Sequence, residues 1–123
     1  MANEIQISLS ISCEKNGAKF IRQETFKDDQ TGDAWSTGVV DATIAGVQLA
    51  DLQVGDYGWI FVKNLGTDSS LYVDIQHAQN SVDDGICRLY GGESSLFKHT
   101  TQGALWADSS SGTQAVEYAI IEL

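Results

Sequence analysis

The sequence predicts an all-β chain, an antiparallel β-sandwich of jelly-roll-like form with about seven or eight strands. Three observations carry this. Apolar and polar residues alternate in short runs, clusters of Gly, Asn, Asp and Ser separate these runs, and no segment longer than a turn has helical periodicity. At 123 residues and 42% hydrophobic, the chain is expected to form a single domain over residues 1–123.

Residues 5–12 alternate without a fault and set Ile5, Ile7, Leu9 and Ile11 on one face of a strand. Asn16-Gly17 follows, a pair that tolerates φ > 0 at both turn positions and so predicts a hairpin. Its second strand is expected over 18–26, where strict alternation places Arg22 and Glu24 on the face of Phe20 and Phe26. Residues 27–37 form a turn-rich loop that carries Trp35. A β-branched strand follows at 38–44, and residues 46–55 read as a mostly irregular approach to the next one.

Residues 57–65 are the most hydrophobic run and predict a central strand covered on both faces, with Trp59 in the core. The turn at 66–70 predicts a hairpin with 71–76, where Leu71, Val73 and Ile75 share a face. Residues 79–85 read as a surface loop. Further strands are expected at 86–90, 95–98 and 105–107, and a closing strand at 115–122. The chain has no Pro, so its strand edges lack a common blocker, which points to coverage by a neighbouring subunit.

Seven Lys and Arg against 17 Asp and Glu give a formal charge of −10. That balance argues against binding nucleic acid through phosphates. No run approaches the roughly 20 apolar residues of a membrane-spanning helix, and the first residues lack the basic and apolar regions of a secretory signal. Neither nucleic acid nor membrane is therefore expected as a partner. Cys13 and Cys87 form no CxxC and are expected as reduced, partly buried thiols.

Candidate chemistry is sparse. His77, His99, Cys13 and Cys87 have the composition of a zinc set but no zinc spacing, and read better as surface histidines and packed thiols. The acidic loops at 27–33 and 83–85 hold oxygen ligands without the spacing of an EF-hand, and read as solvated loops. Neither histidine lies in a nucleophile context, there is no Gly-x-Ser-x-Gly, and Gly91-Gly92-Glu93-Ser94-Ser95 lacks the Lys of a P-loop. No catalytic residue, metal or cofactor is assigned, and an enzyme is not expected. Trp35 and Trp106 fall in or beside loops, where an aromatic ring serves either packing or contact with a ligand such as a sugar.

Five segments carry a family resemblance. Residues 63–75, Lys-Asn-Leu-Gly-Thr-Asp-Ser-Ser-Leu-Tyr-Val-Asp-Ile, resemble an Asn-Leu turn followed by Tyr-Val in small virion proteins of tailed bacteriophages. Residues 89–97 resemble their Leu-x-x-Gly-Glu-x-x-Leu segment, and 105–107 with 116–122 resemble their closing strands. The opening Ala2-Asn3-Glu4-Ile5-Gln6-Ile7 is similar too. Leu71 stands where the pattern has Asn, and Val116 where it has Leu.

The resemblance implies a non-enzymatic structural protein of the virion. Among these, a capsid cement or decoration protein is expected, a homotrimer that binds the major capsid protein on the capsid surface and bridges neighbouring capsomers. The strand at 4–12 would then serve as an exchanged or stapling arm that adds to a neighbour's sheet edge, with Ile5, Ile7, Leu9 and Ile11 as contact residues. The alternative is a carbohydrate-binding or host-recognition module of a tail or fibre, with Trp35 and Trp106 as the contacts.

Overall fold

The computed structural model describes residues 5–30, 32, 34–51, 54–79, 85–99 and 104–122. They form ten strands and no helix. The chain divides into two compact units, residues 1–31 and 32–123.

The first unit is an antiparallel hairpin of β1 (Ile5–Lys15) and β2 (Ala18–Asp28), paired without interruption from Ile5↔Asp28 to Lys15↔Ala18. Asn16 and Gly17 close it with φ of 52° and 80°, the left-handed pair that the dipeptide favours. The register sets Ile5, Ile7, Leu9, Ile11 and Cys13 beside Asp28, Phe26, Glu24, Arg22 and Phe20 on one face. Ile5 and Ile7 are buried, whereas Leu9 and Ile11 are exposed.

The second unit holds eight strands: β3 (Trp35–Ala42), β4 (Val47–Gln48), β5 (Tyr57–Asn64), β6 (Tyr72–Gln76), β7 (Gly85–Tyr90), β8 (Ser94–Lys98), β9 (Trp106–Ser109) and β10 (Gln114–Glu122). They build two antiparallel sheets, ordered β3-β10-β5-β8 and β4-β9-β6-β7. The pairings nest: β6 with β7, β5 with β8, β4 with β9 and β3 with β10. The chain thus follows one long hairpin whose tip is β6–β7, and the added pairs β10–β5 and β9–β6 roll it up.

Side chains from both sheets share one core. Ile60, Val62, Val116 and Ile120 come from one sheet, Val73, Ile75, Leu89 and Ala107 from the other, and Leu49 and Leu105 join them from the connections. Fully burying one such large aliphatic side chain stabilises the fold by about 1.5–3 kcal/mol. Tyr118 lies across Gly38, where an added Cβ would come within 3.1 Å of its hydroxyl, so a side chain at this strand position would require the tyrosine to shift by a few tenths of an ångström.

Several sequence expectations need correction. Among the described residues there are ten strands, because the stretch read as irregular at 46–55 contains β4; the strand expected at 105–107 runs from Trp106 to Ser109 as β9. The hairpin expected between 57–65 and 71–76 does not form: β5 pairs with β10 and β8, while β6 lies in the other sheet. The reason is local. The backbone of Asn64 bonds Glu93 and Gly92 across the sheet, so the segment after it crosses between sheets instead of turning back. β5 is central in its sheet, but its burial alternates: Tyr57, Gly58, Ile60, Val62 and Asn64 are buried, whereas Trp59, Phe61 and Lys63 are only part-buried. Trp59 is half-buried on the outer face, not in the core.

Candidate functional site

Two apolar surfaces stand out. On the hairpin, Leu9 is 45% exposed, Ile11 60% and Phe20 56%. They border a shallow depression with Arg22 and Glu24, whose side chains pair at 2.8 Å. Alternation explains the strip: β1 gives every second residue to it, and β2 adds Phe20 and Phe26 but interrupts them with that ion pair. Apolar faces of this kind mark contact sites, and an isolated two-stranded sheet is marginal in water.

The second surface is the outer face of the β3-β10-β5-β8 sheet. Its register aligns Val39, Glu117 and Lys63 in one row, Thr37, Ala119, Phe61 and Leu96 in the next, and Trp35, Ile121, Trp59 and Lys98 in a third. Trp35 is 64% exposed and Val39 57%. A trough between Val39, Phe61, Ala119 and Glu117 crosses this face. The Lys98 ammonium lies 5.8 Å from the centre of the Trp59 ring, within cation–π range.

The expected contact residues therefore divide. Ile5, Ile7, Leu9 and Ile11 share a face, but only Leu9 and Ile11 are exposed on it. Trp35 opens β3 rather than lying in a loop, and its ring is mostly exposed. Trp106 begins β9 and is half-buried, so the two tryptophans belong to different sheets.

Titratable groups gather at the ends of three strands. Tyr57 at the start of β5 donates its hydroxyl to Asp51, and its ring lies 5.8 Å from that of His99, just after β8. The His77 ring is 4.9 Å from His99. Burial, then the Asp51 hydrogen bond and charge, push the Tyr57 phenol well above its ordinary range. Burial and the neighbouring His77 hold His99 below the usual histidine value. The sequence placed these histidines 22 positions apart with no motif between them, so only the fold brings them together. The cysteines of the zinc-like set lie elsewhere, on β1 and β7. Among the described residues no three of His, Cys, Asp or Glu are placed to hold a metal ion. Residues 31, 33, 83 and 84 of the acidic loops lie outside the described residues.

Both cysteines are free. Cys87 is half-buried as expected, and burial pushes its thiol up against an opposing hydrogen bond to Ser95. Cys13 is exposed, contrary to expectation, because it lies near the tip of the hairpin on the face of Ile11.

On the outer face of the other sheet, Arg88 and Asp74 are cross-strand partners joined by two hydrogen bonds of 2.7 and 3.0 Å. The Arg88 guanidinium lies 3.8 Å from the centre of the Tyr72 ring, which meets Tyr90 edge-on at 5.4 Å. Sequence reasoning missed this cluster, although the i and i+2 spacing of Tyr72 with Asp74 and of Arg88 with Tyr90 is a signal for it. No family model, curated protein or solved structure matches the chain.

Proposed function

We propose that this chain is a non-enzymatic cement or decoration protein of a phage head, binding the major capsid protein as a homotrimer and bridging neighbouring capsomers. The observation that carries the reading is the β1–β2 hairpin, a compact unit of two 11-residue strands on which Leu9, Ile11 and Phe20 are exposed. A sheet of two strands with an apolar face is better suited to docking than to standing in water. The nested pairings of β3–β10 support a jelly-roll reading of the body, and the resemblance of residues 63–75 and 89–97 to small virion proteins supports the phage assignment. An acidic outer surface is compatible with a role outside the packaged DNA. Many weak contacts repeated over a lattice add up to tight attachment.

Incubation of the purified chain with expanded empty heads, followed by sedimentation, tests this. The expected result is co-sedimentation at a saturable ratio of chain to capsid protein. Failure to bind expanded heads would overturn the reading.

The exposed ring of Trp35 favours one second reading, a carbohydrate-binding module of a tail or fibre. Glycan-array binding that disappears in Trp35→Ala would establish it in place of the cement role.

A further inference from the structure

We propose that the trough on the outer face of the β3-β10-β5-β8 sheet binds a neutral oligosaccharide, with one sugar ring over Ala119 beside Phe61 and the next against Trp35. The inference deepens the carbohydrate reading of Trp35, on which it rests, by giving the ligand a site, a charge and a minimum length. The trough exists because of one residue. Ala119 is the smallest side chain in a row that also holds Thr37, Phe61 and Leu96, so its neighbours stand above it. The depression has a volume of about 360 Å³, within the range of about 300–1,000 Å³ for small-molecule sites. Two residues along a strand at about 3.4 Å each put successive rows about 6.8 Å apart. Trp35, one row beyond Thr37 on β3 and 64% exposed, therefore borders the trough within reach of a second sugar ring.

The polar groups around the trough are uncommitted. Glu117 and Lys63 are cross-strand partners in the adjoining row, and among the described residues neither takes part in an ion pair. The Thr37 hydroxyl, in the row of Ala119, has no hydrogen-bond partner either. A carboxylate acceptor, an ammonium donor and a hydroxyl beside aromatic rings suit a pyranose, whose C–H face packs on a ring while its hydroxyls both donate and accept. Charge selects a neutral ligand. On this face Asp41 and Glu117 are matched by Lys63 and Lys98, whereas the whole chain carries −10. The balanced face attracts neither anions nor cations, and the surplus negative charge of the chain repels acidic glycans. A protein-docking patch, by contrast, keeps charged residues out of its centre, and here Glu117 and Lys63 lie on the two central strands.

An array of neutral and acidic glycans, followed by NMR titration of the full-length chain with the best-bound neutral disaccharide and its monosaccharide, tests this. Only neutral glycans are expected to be retained, and the disaccharide is expected to bind several-fold more tightly than the monosaccharide. Shifts should centre on the amides of Thr37, Val39 and Ala119 and on the Trp35 indole. Ala119→Leu fills the trough and leaves Trp35 in place, and is expected to abolish binding of both sugars. Trp35→Ala is expected to bring the disaccharide down to the affinity of the monosaccharide. Glu117→Gln keeps the shape of an exposed side chain and removes its charge, and is expected to weaken both sugars several-fold. Circular dichroism with thermal melting checks that each variant folds, and Glu117→Gln carries the test if Ala119→Leu does not.

Binding that is lost in Trp35→Ala yet unchanged in Ala119→Leu and Glu117→Gln would overturn the inference and leave the Trp35 reading in place. A preference for acidic glycans would overturn it as well. A chain that binds no glycan at all removes both.

Discussion

Asn64 donates its Nδ2 to Gln114 Oε1 at 3.0 Å, and both side chains are buried between the sheets. Asn64 Nδ2 also reaches the Leu89 carbonyl at 3.0 Å, and its Oδ1 accepts from the Gly66 amide at 2.8 Å. Gln114 Nε2 donates to the Tyr72 carbonyl and to Ser109 Oγ. The pair therefore ties the end of β5 and the start of β10 to β6, β7 and β9. A buried polar network of this kind is stable only while each member is satisfied.

Removing either member should be costly. Asn64→Ala strands the Leu89 carbonyl, the Gly66 amide and Gln114 Oε1, and is expected to destabilise the chain by about 1–3 kcal/mol. Gln114→Ala should fall in the same range of about 1–3 kcal/mol, and the double variant should lose less than the sum because the two share one network. Urea unfolding of the four proteins checks this, and full additivity would show that the two side chains act independently.

The acid limb of stability should report His99. Its folded-state pKa lies below the ordinary value of 6.5, through burial and the nearby His77. As pH falls through that value the unfolded chain takes up the proton first, so the folded state loses ground from about pH 7 downward and stops losing once His99 is protonated in both states. His99→Phe keeps an aromatic ring against Tyr57 and His77 but cannot be protonated. The melting temperature of the wild type relative to His99→Phe is expected to drop between pH 7.5 and pH 5. A gap independent of pH would remove His99 as the cause. Asp68 does not blur this window: its carboxyl is held below 3.8 by hydrogen bonds from Ser70, so its contribution fades only at lower pH.

Residues that alternate, or that demand a special backbone, were legible in the sequence. The run from Ile5 to Ile11 and the Asn16-Gly17 turn prescribe β1, its face and its hairpin, and even the lapse at Arg22 and Glu24 is where alternation places it. What could not be read is pairing at a distance. Asn64 and Leu65 look like the start of a tight turn, and the Gly66 amide does bond the Asn64 side chain, yet its other partners, Leu89, Gly92, Glu93 and Gln114, lie 25 to 50 positions away. A strand of two residues such as β4 has too short a pattern to detect, and its existence depends on pairing with β9. The same holds for the sites. Period two sets Ile5, Ile7, Leu9 and Ile11 on one face alike, and only the structure shows the first two buried and the last two exposed.

Glu122 near the end of β10 holds two loops at once. Its carboxylate accepts from the Ala34 amide at 3.0 Å and the Gly55 amide at 3.1 Å. A Cβ at Gly32 would lie 2.4 Å from that carboxylate, so Gly32→Ala has to push it off its donors. Gly32→Ala and Glu122→Ala are each expected to cost about 1–2 kcal/mol, near the range for a hydrogen bond to a charged group. Because the clash needs the carboxylate, adding Gly32→Ala to Glu122→Ala should cost little more. Equal losses in both backgrounds, measured by denaturant unfolding, would show that Gly32 serves something other than this contact.

The two thiols should differ in reactivity. Cys13 is exposed on the hairpin, whereas Cys87 is half-buried with its thiol pushed up by that burial, so less of it is thiolate at neutral pH. In dilute native protein a maleimide is expected to label Cys13 well before Cys87, with the second site reacting fully only on unfolding. Equal labelling rates for the two thiols in the native protein would overturn this ranking.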